Sequence, residues 1–150
     1  MKFNPILTKD EAEKLLNMSK STFENEIYFP QKGEKVEFSI QSTTSKDLFS
    51  IIIFRSKINT FKYNYNLKVI KNGIIILALD ITPTGKHRNP DGTILEGSHW
   101  HVYTEEYGRQ YAIPAENIHA DDFVENTLLF FEKINLISPP DVIYQNELIC

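Results

Sequence analysis

The sequence predicts an α+β protein, an antiparallel meander of about five or six strands flanked by an N-terminal and a C-terminal helix. Three observations carry this. Alternating apolar and polar segments follow one another through the middle of the chain, Asn72-Gly73 stands between two of them, and helical apolar spacing is found toward the two ends.

Thr8 followed by Glu11 forms a capping box, and Ala12, Leu15 and Leu16 supply an apolar stripe, which predicts a first helix near residues 9–19. Val36, Phe38 and Ile40 alternate as a half-buried strand does, and the continuous apolar run Leu48 to Phe54 suits a central strand. Phe61, Tyr63, Tyr65, Leu67 and Val69 then alternate with polar residues, and Asn72-Gly73 turns the chain into Gly73 to Ile81. Pro83 and Gly85 end or bulge that strand. Asn89-Pro90-Asp91-Gly92 is a turn: Pro90 presets φ, the Asx side chains bond local backbone, and Gly92 takes a left-handed conformation. A strand over His99 to Tyr103 and a short hairpin through Tyr107-Gly108 into Tyr111 to Pro114 follow. Acidic residues ahead of Phe123, Val124, Thr127, Leu128, Phe130 and Phe131 predict a second helix within Asp121 to Ile134, ended by Pro139-Pro140. The tail from Asp141 carries no pattern.

With 150 residues and 41% hydrophobic content, residues 1–150 form one domain with a sizeable core. No apolar run approaches the ~20 residues that span a bilayer, and the N-terminus lacks a basic region followed by an apolar run, so a soluble cytoplasmic protein is expected. The single cysteine, Cys150, cannot form an internal disulfide, which fits a reducing compartment. A net charge of −4 does not announce a nucleic-acid binder, yet Arg55, Arg88 and Arg109 all lie in the central half beside several lysines, so a local basic patch is expected.

Three of the four histidines fall between positions 87 and 101, around the Asn-Pro-Asp-Gly turn. On a strand, His99, His101 and Tyr103 share one face, and Trp100 and Val102 the other. The alternation predicts Trp100 and Val102 in the core and His99, His101 and Tyr103 in a cleft. The two histidine Cα atoms then lie roughly 6.5 Å apart, a separation over which two imidazoles can flank a phosphate or ligate a metal.

Read in order, F-P-x-x-G (Phe29 to Gly33), R-x-K-I (Arg55 to Ile58), K-x-x-Y (Lys62 to Tyr65), L-D-I (Leu79 to Ile81), H-R-N-P-D-G, H-W-H-x-Y, E-Y-G and A-I-P (Ala112 to Pro114) resemble an uncharacterised bacterial and prophage family. Its signature runs H-x-N-P-D-G, P-H-L-H-x-Y and E-G-Y-G-D-K-W-A. The resemblance implies fold boundaries and the histidine block as the site, and no reaction. Gln110-Tyr111 stand where the family tends to have Lys-Trp, and Ala78 where it tends to have arginine before Leu-Asp.

Three readings follow. In the first, the protein is a toxin-like endoribonuclease needing no metal or other cofactor. His99 and His101 serve as base and acid with His87 and Tyr103 beside them, while Arg88, Lys62, Arg55 and Arg109 hold the phosphate. In the second, His87, Asp91, His99 and His101 ligate zinc or iron. In the third, the protein has no chemistry and binds a host defence nuclease, as anti-CRISPR inhibitors do, through aromatic-polar segments such as Tyr63 to Tyr65 and Tyr103 to Tyr107. RNA or a host nuclease is accordingly the expected partner.

Overall fold

The computed structural model describes residues 6–145. Its elements are α1 (Lys9–Asn17), β1 (Lys20–Ser21), β2 (Glu26–Tyr28), β3 (Lys35–Ser42), β4 (Leu48–Arg55), β5 (Tyr63–Val69), β6 (Ile75–Ile81), β7 (Lys86–Arg88), β8 (Ile94–Glu96), β9 (His99–Val102), β10 (Ala112–Pro114), α2 (Phe123–Lys133) and β11 (Asp141–Ile143). The fold is α+β as the pattern requires. The main sheet has seven strands in the order β1-β3-β4-β5-β6-β9-β10, every pairing antiparallel. Two satellites join it: the β7–β8 hairpin, and a parallel β2–β11 pair that takes in the patternless tail.

Directly opposed residues of antiparallel strands point to the same side, so the register assigns the two faces. The row Ile53, Tyr65, Leu79, Trp100 and Ile113 lies on the side covered by α2. There the Phe130 ring stacks on Tyr65 at 5.3 Å and on Trp100 at 6.3 Å. The opposite side carries the rows Asn64, Asp80, His99, Pro114 and Asn66, Ala78, His101, Ala112. One face is therefore the apolar core, and the other is polar at its β6-β9-β10 end.

Local chemistry sets the boundaries. Both bonds of the Thr8–Glu11 capping box form at the start of α1. Gly73, with φ of 74°, closes the β5–β6 hairpin by donating to the Val69 carbonyl. The C-terminal ends of the two helices meet at Lys20. Its buried Nζ donates to the carbonyls of Leu16, Met18 and Ile134 at 2.7, 2.9 and 2.7 Å. Burial pushes the ammonium down to about 8, which leaves it charged at neutral pH beside two negative helix ends. Lys20→Met keeps the side-chain length and strands three carbonyls, so we expect a loss of about 1–3 kcal/mol by denaturant titration.

Candidate metal centre

Asp80 is the one acid in the apolar run from Ile74 to Ile81. The β6–β9 register sets it opposite His99, with His101 two residues along on the same face. Asp80 Oδ2 lies 3.2 Å from His99 Nε2 and 3.0 Å from His101 Nε2. The other ring nitrogens also meet acceptors: His99 Nδ1 lies 3.0 Å from the Gly97 carbonyl, and His101 Nδ1 2.9 Å from the Arg109 carbonyl.

The β7–β8 hairpin brings His87 over this face. Gly97 donates to the Gly85 carbonyl at the base of the hairpin, and Gly92, with φ of 94°, closes its tip. Asn89 fastens it: its Nδ2 donates to the Ala112 carbonyl at 2.8 Å, and its Oδ1 accepts from Ala112 N at 2.7 Å. The buried amide thus makes the two backbone bonds that a further strand would make with β10. His87 Nε2 meets the Gln110 carbonyl at 3.1 Å. The three imidazole centroids lie 5.1, 4.9 and 4.9 Å apart, and one nitrogen from each ring lies within 4.8 Å of the others.

Hydrogen-bond accounting shows what this arrangement requires. Four acceptor contacts fall on the ring nitrogens of His99 and His101, twice as many as two neutral imidazoles with one N–H each can donate to. A divalent cation held by the two Nε2 atoms would remove that excess, leaving each ring neutral with its Nδ1–H on a carbonyl and an Nε2 lone pair for the ion. Nδ1–H bonded to a carbonyl is the outer-shell support that metal-bound histidine usually has. Ligands at about 2.0–2.2 Å from a tetrahedral ion stand roughly 3.3 Å apart, close to the separations of Asp80 from the two nitrogens.

Burial alone would raise the Asp80 carboxyl, but hydrogen bonds from His101 and His99 and their charges hold it well below the usual carboxylate range. Burial alone would lower His99, but the Asp80 hydrogen bond, the Gly97 carbonyl and the Asp80 charge raise it.

Two cavities meet at His87. One, of about 260 Å³, is lined by Lys62, Asn64, Asp80, Lys86 and His99; the other, of about 610 Å³, by Arg88, Asn89, His101, Arg109 and Gln110. Arg109 donates to Asn66 Oδ1 at 3.2 Å. Lys86 lies 3.6 Å from Glu96.

Of the residues that the sequence puts forward, His87, His99 and His101 converge, and Lys62, Arg88 and Arg109 surround them. Three do not join. Asp91 is spent on the turn, its Oδ1 accepting from Thr93 N and its Oδ2 from the Tyr111 hydroxyl, and it lies outside the histidine cluster. Tyr103 follows the last residue of β9 and is buried against α1, its hydroxyl donating to the Leu7 carbonyl at 2.7 Å. Arg55 belongs to the α2 side, where it is 1% exposed, donates to the carbonyls of Pro30 and Thr60, and lies over the rings of Phe123, Phe29 and Tyr144.

The expected exposure along β9 is also corrected. His99 and His101 are 4% and 8% exposed, while Trp100 is half-buried and Val102 is 36% exposed. The alternation holds, but the hairpin covers the histidine side, whereas the cover on the other side thins toward Val102. Asp80 is the residue that the sequence reading missed. Its signal was a carboxylate inside an otherwise apolar strand, a place where acids are rare unless paired.

Residues 7–136 match the family of unknown function DUF6978. The chain belongs to this family. No curated protein and no solved structure matches it.

The pH dependence of the metal-free pairing follows from the two shifts. A lowered Asp80 stabilises the fold above its ordinary 3.8 and loses this as pH falls; a raised His99 stabilises below its ordinary 6.5 and loses this as pH rises. In chelator-treated protein, the melting-temperature gap between wild type and Asp80→Asn is therefore expected to be larger at pH 5 than at pH 8. A gap that is equal at both would contradict the pairing.

Proposed function

We propose that this protein is a metal-dependent hydrolase of phosphate esters, with Asp80, His99 and His101 as ligands of one divalent ion such as zinc. The observation that carries this reading is the double engagement of His99 and His101, each with Nδ1 on a backbone carbonyl and Nε2 on the same carboxylate. Three protein ligands leave an open position, the arrangement of catalytic rather than structural zinc. An ion there lowers the pKa of a bound water and supplies hydroxide near neutral pH.

His87 lies beside that position. It is half-buried, one of its ring nitrogens stands within 4.8 Å of those of His99 and His101, and we assign it to a water at the open position rather than to the ion itself. In this role it moves the proton between water and leaving group. Lys62 and Lys86 on one side, and Arg88 and Arg109 on the other, offer charge to a phosphoryl group. Such flanking cations suit nucleic acid. A metal-free acid–base pair at His99 and His101 fits less well, because each of the four ring nitrogens already faces an acceptor and both rings are buried.

Elemental analysis of purified or zinc-reconstituted protein tests this. One ion per chain is expected, with loss of the ion in Asp80→Asn, His99→Ala and His101→Ala. His87→Ala should keep the ion and lose roughly 10²-fold or more of the hydrolysis of bis(p-nitrophenyl) phosphate or RNA. Failure of folded wild-type protein to take up zinc, iron or manganese would overturn the metal centre. Full activity in His87→Ala would remove its proton-transfer role.

A further inference from the structure

On the other side of β9 from the histidines lies a further cavity, of about 520 Å³, and it is apolar. Its existence follows from the sequence of α1. The residue of this helix buried against the sheet is the small Ala12, while Leu15 and Leu16 are only half-buried. A small side chain at the contact leaves a hollow between helix and sheet. Leu16 and Ala12 form one wall, and Ile76, Val102 and Tyr103 the floor. Val102 faces it with 36% of its surface exposed.

The polar groups at the mouth are mostly of one sign. Glu13, Glu105 and Glu106 line it against the single cation Lys9. Lys9 Nζ lies 3.9 Å from Glu13, and Lys9 N donates to Glu105. Three carboxylates at an apolar hollow leave an excess of two negative charges, a field that attracts a cation and repels an anion. The Tyr103 hydroxyl is turned to the Leu7 carbonyl, so the floor presents its ring. The volume falls within the ~300–1,000 Å³ of small-molecule sites.

We propose that this cavity binds a small amphiphilic ammonium ion, its apolar body against Ala12, Ile76 and Val102 and its charged head among the three glutamates. The site is independent of the metal centre, since the two lie on opposite faces of the sheet.

The test titrates three probes that share one apolar body, 4-phenylbutylamine, 4-phenylbutanol and 4-phenylbutyrate, into isotopically labelled full-length protein at neutral pH, followed by amide and methyl NMR. The amine is expected to give saturable shifts at Ala12, Ile76 and Val102 and to bind about tenfold or more tightly than the butyrate. The charge variant Glu13→Gln/Glu106→Gln, at the cavity mouth, should weaken the amine roughly threefold to tenfold and leave the alcohol unchanged. Ala12→Phe, which fills the hollow, should abolish binding of all three. Equal affinity for the three probes, shifts that map elsewhere, or amine binding retained in folded Ala12→Phe would each overturn the proposal. The charge variant keeps the test valid if Ala12→Phe does not fold.

Discussion

Asp80 is a carboxylate placed inside an apolar strand, and the organisation of the histidine face depends on how its charge is met. A buried acid persists only when paired and hydrogen-bonded. Here two imidazoles from the neighbouring strand meet it, and each needs a backbone carbonyl on its far side. Those carbonyls come from Gly97, at the base of the β7–β8 hairpin, and Arg109, in the loop leading to β10. One cross-strand pair thus fixes the hairpin, the loop and the last strand of the sheet around a single point.

The two faces divide the labour. The side under α2 holds the stacked aromatic rings, and two of the chain's cations are used there for structure: Arg55 among rings and carbonyls, Lys20 between two helix ends. Cations that remain available to a ligand, Lys62, Arg88 and Arg109, lie toward the histidine side. An acidic protein can therefore still present positive charge where the proposed chemistry takes place. Strand β9 separates the two regions and contributes to both, with His99 and His101 on one side and Trp100 and Val102 on the other.

Features set by local chemistry were legible in the sequence. The capping box, the Asn72-Gly73 hairpin, the Asn-Pro-Asp-Gly turn and the period-two strands depend on neighbouring residues, and the structure keeps them. The convergence of His87 with His99 and His101 followed from the same turn. What was not legible depends on distant contacts. The parallel β2–β11 pair joins segments from opposite ends of the chain. Arg55 reads as a free cation until three aromatic rings close on it. Asp91 stands four residues from His87 in sequence and reads as a ligand, but the turn uses its oxygens. Asp80 stood apart in sequence and needed the β6–β9 register to be seen. The exposure of Trp100 and of the histidines depended on which face the hairpin would cover, and the alternation does not specify that.

The Asn89 amide has a consequence for how the molecule behaves in company. Strand β10 is the last of its sheet, and a terminal strand with bare N–H and C=O groups is a template for another chain. Asn89 occupies both groups of Ala112 with a side chain, so the edge ends without a strand that could itself be extended. The cover over the histidines is thus also a guard against self-association. Detaching the hairpin would do more than open the site: it would bare a pairing edge and favour growth of the sheet from one molecule into the next.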